Sequence, residues 1–353
     1  MCQREFELWR QASQRRYRVR KIALFAHDAG GAEILLELLK ASLHGGELCI
    51  FALADSPCYT LIKAKKLEHL WCEIAPEKSD IEMKLASFEP TIILYGTGWQ
   101  NHLEYHFLDY AKAHTLPSIA FLDHWTNYRE RFGYPEKNWE NNFPSFIAAH
   151  DQTSFDKAKA LGLPNVIAIK NYALMAQRKE AQSVLANLHE NDTLLFLSEP
   201  TAKVAKCSFG DAYGWGFTEK EVFEDILTCK EKFGCKNILI RLHPSDTPET
   251  YQAVDPNATF SHSTLLEDIA RAKVVIGIDT IALYTAYLLG KYAISYIPSN
   301  QRECCVPLPK ANQLSSFEHF RLNQLEKISQ TPEDFGMDFA LFLEKSLDFF
   351  HNS

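Results

Sequence analysis

The chain has no C-x-x-C pair, no apolar run close to the roughly 20 residues that span a bilayer, no G-x-G-x-x-G and no D-x-D at a plausible strand end. It is also short of positive charge, with a formal net charge of -8. Each absence closes a route. The nine cysteines are scattered and odd in number, which fits reduced thiols rather than a disulfide framework or a zinc site. Without a spanning run, and with charges where a signal peptide needs its apolar stretch, the sequence reads as cytoplasmic. A nucleic-acid binder needs a positive surface to displace counterions, so no nucleic-acid partner is expected. The missing glycine fingerprint weakens a dinucleotide site, and the missing D-x-D gives no reason to invoke a divalent metal, so no metal and no cofactor are expected.

What is present is an ordinary globular composition, 46% apolar and 23% charged, over 353 residues, enough for two domains. Residues 1–21 stand apart: Arg4, Arg10, Arg15, Arg16, Arg18, Arg20 and Lys21 alternate with Phe6, Leu8, Trp9, Tyr17 and Val19. Such a basic amphipathic segment could associate peripherally with the anionic inner face of a membrane. It could equally pack as a solvated helix on the first domain.

From Lys21 onward short apolar runs alternate with helical patterns, the signature of βαβ units and a parallel sheet. Strands are expected at Ile22–Ala26, Leu48–Leu53, Thr91–Tyr95, Ser118–Leu122, Ser145–Ala149 and Val166–Ile169, making residues 22–171 one Rossmann-like domain. A polar helical stretch, 172–191, reads as a crossover. A second series, Thr193–Leu197, Asn237–Arg241, Thr259–Phe260, Val274–Ile278 and Tyr292–Tyr296, makes residues 192–331 a second such domain. The Phe-rich segment from Pro332 is expected as a helix that crosses back to the first domain. The fold class is therefore α/β, two Rossmann-like domains facing each other across a cleft.

In open α/β sheets ligands bind beyond the carboxyl ends of the strands, so polar residues count most in strand-ending loops. Five loops stand out. After the first strand, Asp28 offers a general base, and Gly30 and Gly31 allow close backbone approach to an acceptor. After the third, Tyr95-Gly96-Thr97-Gly98-Trp99 presents Thr97 and Trp99 to a sugar or phosphate. After the fourth, Asp123 competes with Asp28 as base, His124, Trp125 and Tyr128 offer an imidazole and stacking rings, and Arg129 and Arg131 can clamp an anion. In the second domain, Arg241-Leu242-His243-Pro244 ends a strand with a proline-stiffened turn that could aim His243 at a phosphate or leaving group. Finally, Asp279 and Thr280 open a helix whose N-terminus suits an anion, and Ser198-Glu199 ends the neighbouring strand at the same spot.

The Arg-Leu-His-Pro segment resembles the His-Pro motif of bacterial sialyltransferases and polysialyltransferases of the GT-B type. The stretch from Asp268 to Thr280 is similar to a segment of those enzymes and of CDP-glycerol phosphotransferases in which a Ser or Thr grips phosphate. The resemblance covers about 100 residues of the second domain. It implies a GT-B glycosyltransferase whose partners are a cytidine-nucleotide sugar of the nonulosonate kind and a surface-glycan acceptor. His243 and Thr280 would be donor-phosphate ligands. The acidic-acidic-Gly motif that carries the base in those families is absent: Asp28 is followed by Ala29-Gly30, which leaves Asp123 in competition. UDP-GlcNAc 2-epimerases, which share the fold, are a second resemblance. A non-catalytic partner that binds a nucleotide sugar is a third reading.

Overall fold

The structure, a computed structural model, describes residues 21–43, 46–98, 102–328 and 334–350. The basic N-terminal segment up to residue 20 and Trp99 lie outside the described residues. The chain divides into two compact units, residues 1–173 with 335–353 and residues 174–334.

Unit 1 is a seven-stranded, wholly parallel sheet in the order β3-β2-β1-β4-β5-β6-β7. Its strands are β1 (Lys21–Phe25), β2 (Glu47–Ala52), β3 (Trp71–Glu73), β4 (Ile92–Gly96), β5 (Ser118–Phe121), β6 (Phe146–Ala149) and β7 (Val166–Ala168). The helices between them are α1 (Ala29–Ser42), α2 (Pro57–Ala64), α3 (Lys78–Phe88), α4 (Glu104–Ala113) and α5 (Gln152–Ala160). Near-continuous apolar runs form the central strands because both sheet faces are covered by helices. Phe25 on β1 stacks on Phe107 of α4 with centroids 4.3 Å apart at the centre of this core. The three-residue edge strand β3 escapes periodicity reading because it is too short to show one.

The order reverses between β1 and β4, and there α1 leans onto the end of β4. A Cβ built on Gly31 would fall 2.9 Å from the Cα of Gly96, and one on Gly96 2.7 Å from the Cα of Gly31. This glycine pair is thus a helix-to-strand contact that no side chain fits. The expectation that Gly31 serves close approach of a ligand is corrected accordingly.

Helix α6 (Tyr172–Asn187) runs from unit 1 into unit 2. Unit 2 is a six-stranded parallel sheet in the order β10-β9-β8-β11-β12-β13, with its reversal between β8 and β11. The strands are β8 (Thr193–Leu197), β9 (Asn237–Arg241), β10 (Thr259–Phe260), β11 (Val274–Gly277), β12 (Tyr292–Tyr296) and β13 (Gln313–Leu314). Its helices are α7 (Thr201–Phe209), α8 (Glu219–Thr228), α9 (Pro248–Gln252), α10 (Leu265–Arg271) and α11 (Ile281–Leu288). Helices α8 and α10 each start with a full capping box, Thr218 with Glu221 and Thr264 with Glu267. Phe196, Phe223 and Tyr251 meet at ring-centroid distances of 5.5 to 5.9 Å in the core.

The closing helix α12 (Phe339–Phe350) belongs to unit 1. Phe339 meets Phe121, Phe342 meets Phe146, and the Tyr172 hydroxyl donates to Asp338 at 2.8 Å. The helix starts later than the sequence pattern suggests. Gly336 has φ of +76° and lies against the backbone of Ile169, and the Asp338 carboxylate takes the amides of Ala340 and Leu341, so the chain turns there before the helix begins.

Candidate functional site

The carboxyl edge of unit 1 gathers the loops after β1, β4 and β5. Much of their polarity is turned inward. Arg131 is 4% exposed and binds four acceptors: Asp123 Oδ1 at 2.5 Å, Thr97 O at 2.8 Å, Thr97 Oγ1 at 2.9 Å and Thr126 O at 3.2 Å. Thr97 is buried, and its hydroxyl donates to Phe121 O, while the amide of Gly98 is taken by buried Glu104. Trp125 and Tyr128 are each 2% exposed, the indole donating to Asp151 and the phenol to Ser154. Arg129 donates to Leu161 O.

Four expectations are thereby corrected. Thr97, Trp125, Tyr128 and Arg131 knit the loops to the unit and are not presented to an acceptor, because a densely polar loop at a strand end can satisfy itself. A Cβ on Gly30 would lie 2.2 Å from Asp123 Oδ2, so Gly30 makes room for that carboxylate and not for a ligand. Asp123 is consequently half of an ion pair. Asp28, by contrast, sits exposed at the N-cap position of α1, and its carboxylate makes no capping bond. His124 is partly exposed, with Nδ1 2.9 Å from Thr126 Oγ1.

At the carboxyl edge of unit 2, Ser198 ends β8 between the loops that follow β9 and β11. Neighbouring strands lie about 4.8 Å apart, so these two loops start about 10 Å from each other on either side of it. Ser198 is buried; its hydroxyl accepts the amide of His243 at 2.9 Å and donates to Asp246 at 2.5 Å, which in turn accepts from Tyr251 at 3.0 Å. This chain fixes the His-Pro turn. The imidazole itself is exposed, as is Pro244, and its Nδ1 accepts the Ser245 amide at 3.1 Å. The neutral ring therefore carries its proton on Nε2, which has no partner among the described residues. Ser198 is a positioning residue rather than a ligand. Arg241 is also withdrawn: it closes on Asp268 at 2.8 Å and Ser263 O at 2.9 Å, tying β9 to α10.

The β11 turn is held from β8. Glu199 Oε1 accepts the amides of Ile278 at 3.0 Å and Asp279 at 2.6 Å, and Asp279 Oδ1 accepts those of Cys305 at 2.6 Å and Val306 at 3.4 Å. Both carboxylates thus occupy backbone donors that a phosphate would use, which corrects their assignment as donor ligands. The helix cap is Thr280, partly exposed, with its hydroxyl accepting from Ala282 at 3.3 Å. Arg302, from the segment after β12, lies beside this turn, over the Trp215 indole. Neither residue stands out in the sequence, although the strand-end rule that flagged the other loops applies equally to the one after β12.

Burial pushes the Glu199 carboxyl up from 4.5 to about 7, against the Asp279 amide and Arg302, which favour its ionised form. Between these values the folded state binds the proton and the unfolded state does not. The stabilisation is therefore complete below about 4.5 and is lost as pH rises to about 7. Relative to Glu199→Gln, which keeps an oxygen for both amides, the wild type is expected to lose up to about 3 kcal/mol over that window. Urea midpoints measured across the range check this, and parallel curves would show that the carboxyl titrates normally.

Among the described residues no group of three or more His, Cys, Asp or Glu side chains is arranged to hold a metal ion, and no helix is long and apolar enough to cross a membrane. No family model matches the chain, and no curated protein matches it. Solved structures do. A Listeria monocytogenes protein assigned as a UDP-N-acetylglucosamine 2-epimerase is similar with a TM-score of 0.55 and 11% identity, over 80% of each chain. Acinetobacter baumannii MurG has a TM-score of 0.47 and 10% identity, over 93% of this chain and 90% of that one. The wall teichoic acid polymerase TagF has a TM-score of 0.43 and 9% identity, over 95% of this chain and 84% of that one. At such identity the likeness to the Listeria protein concerns the fold alone, in keeping with two Rossmann-like α/β units.

Proposed function

We propose that the chain is a GT-B glycosyltransferase that holds a nucleotide sugar at the carboxyl edge of unit 2 and passes the sugar to a glycan acceptor. One observation carries the reading. The Ser198 hydroxyl pins the His243 amide and leaves the ring Nε2–H without a partner among the described residues, while the Thr280 cap of α11 follows β11, the strand on the other side of β8. A neutral imidazole donor and a helix N-terminus at a switch point suit a leaving phosphate. The donor is a cytidine nucleotide of a nonulosonate-type sugar, on the strength of the His-Pro resemblance. Asp28 is the base for the acceptor hydroxyl, since its carboxylate is exposed while that of Asp123 is paired with Arg131. Peripheral attachment to a membrane through residues 1–21 belongs to the same reading.

The test is a melting-temperature screen with CMP, CDP, UMP, UDP and GDP. A ligand at 100 times its Kd stabilises the native state by about 2.7 kcal/mol, and CMP or CDP is expected to give the largest rise. No shift with any nucleotide would sink the donor site. The likeness to the Listeria protein favours a second reading, an epimerase acting on UDP-GlcNAc; conversion of that compound without an acceptor would select it.

A further inference from the structure

Two of the arginines at the carboxyl edges of the two sheets are closed by carboxylates. Arg131 meets Asp123 at 2.5 Å and Arg241 meets Asp268 at 2.8 Å, distances of fully formed charge-assisted bonds. Arg302 is different. Its nearest carboxylate oxygens are Asp279 Oδ2 at 3.5 Å and Glu199 Oε2 at 3.7 Å, long contacts because the other oxygen of each carboxylate is held by backbone amides. Its guanidinium carbon lies 4.5 Å from the centroid of the Trp215 ring, which is itself braced by an edge contact with Phe209 and packed on the unit 2 core.

The guanidinium is thus oriented by an indole on one face and by two distant carboxylates, and only one of its five N–H groups has an acceptor among the described residues. Its side chain is 19% exposed. A planar fork held in place with donors to spare suits phosphate oxygens, which it can bind in bidentate fashion. Its position, beside the turn that joins β11 to α11, is the switch point of the sheet.

We propose that Arg302, backed by Trp215, receives the phosphate of the nucleotide at the carboxyl edge of unit 2. The proposal rests on the nucleotide reading above and adds the cation which that reading lacks, since Arg241 is occupied. Trp215 acts as a positioning residue: it keeps the guanidinium plane fixed and excludes water from one face.

Calorimetric titrations of the full chain with CMP, cytidine and inorganic pyrophosphate test it, using the wild type, Arg302→Ala, Arg302→Lys and Trp215→Phe. Loss of a hydrogen-bonded charged contact corresponds to roughly ten- to a hundredfold in affinity. Arg302→Ala is expected to lose that much for CMP and pyrophosphate and nothing for cytidine. Arg302→Lys should recover only part, and Trp215→Phe should abolish the change in tryptophan fluorescence on CMP binding. Should Arg302→Ala fail to fold, the lysine variant and Trp215→Phe carry the test alone. Equal CMP affinity in wild type and arginine variants, or an equal loss for cytidine, overturns the assignment but leaves the nucleotide reading intact. Arg302-dependent pyrophosphate binding with no nucleotide bound upholds the phosphate seat and sinks the nucleotide reading. Binding of neither probe to the wild type sinks both.

Discussion

Replacing His243 by alanine should slow release of the nucleotide from its sugar donor by about 10²- to 10³-fold, the span expected when a hydrogen-bond donor to charge developing in the transition state is lost. The fold should not notice. The imidazole is exposed and among the described residues bonds only the amide two residues on, and exposed substitutions of this kind usually stay within about 0.5 kcal/mol. Donor hydrolysis, followed as free nucleotide at saturating donor, measures the effect without knowledge of the acceptor. His243→Gln should recover part of that loss, because its amide can also donate a hydrogen bond to the phosphate. Ser198→Ala leaves the imidazole in place while untying its backbone, so its loss should be smaller than that of His243→Ala. A His243→Ala enzyme within twofold of the wild type would remove the residue from the chemistry.

The largest effect on stability should come from Arg131→Ala. That change strips the Asp123 carboxylate, whose side chain is 13% exposed, of its counter-charge, and leaves Thr97 O and Thr126 O without their donor. Removing one partner of a buried pair costs about 3–5 kcal/mol, because the remaining charge is stranded. For a unit of this size that corresponds to a fall in melting temperature of roughly 6–20 °C. Circular dichroism melts would read it directly. The double variant Arg131→Ala with Asp123→Ala should regain part of the loss, since the stranded charge is then gone as well. A drop below about 1 kcal/mol would mean that water reaches Asp123, and that the loop is less closed than its hydrogen bonds imply.

The architecture was largely legible because its cause is local. Runs such as Thr193–Leu197 and Val274–Gly277 are apolar on both faces, as strands between two helical layers must be, and their boundaries read correctly to within a residue. The strands that escaped notice, Trp71–Glu73 and Gln313–Leu314, are two or three residues long and carry no period. Loop function was far less legible. Trp125, Tyr128 and Arg131 look like a binding surface in one dimension, yet Asp151, Ser154 and Thr97, each more than 25 residues away in sequence, satisfy them.

The sequence alone determined the two Rossmann-like units, the strand-end loops that carry polar residues, and the His-Pro turn, since each depends on the residue itself or on near neighbours. Only the tertiary structure decided which of those polar groups are spent and which are left over. Whether a guanidinium or hydroxyl is occupied depends on partners brought near by sheet order, and nothing in the spacing along the chain encodes that distance. Hence Arg131 and Arg241, prominent in sequence, proved closed, while Arg302, inconspicuous in sequence, kept its donors open.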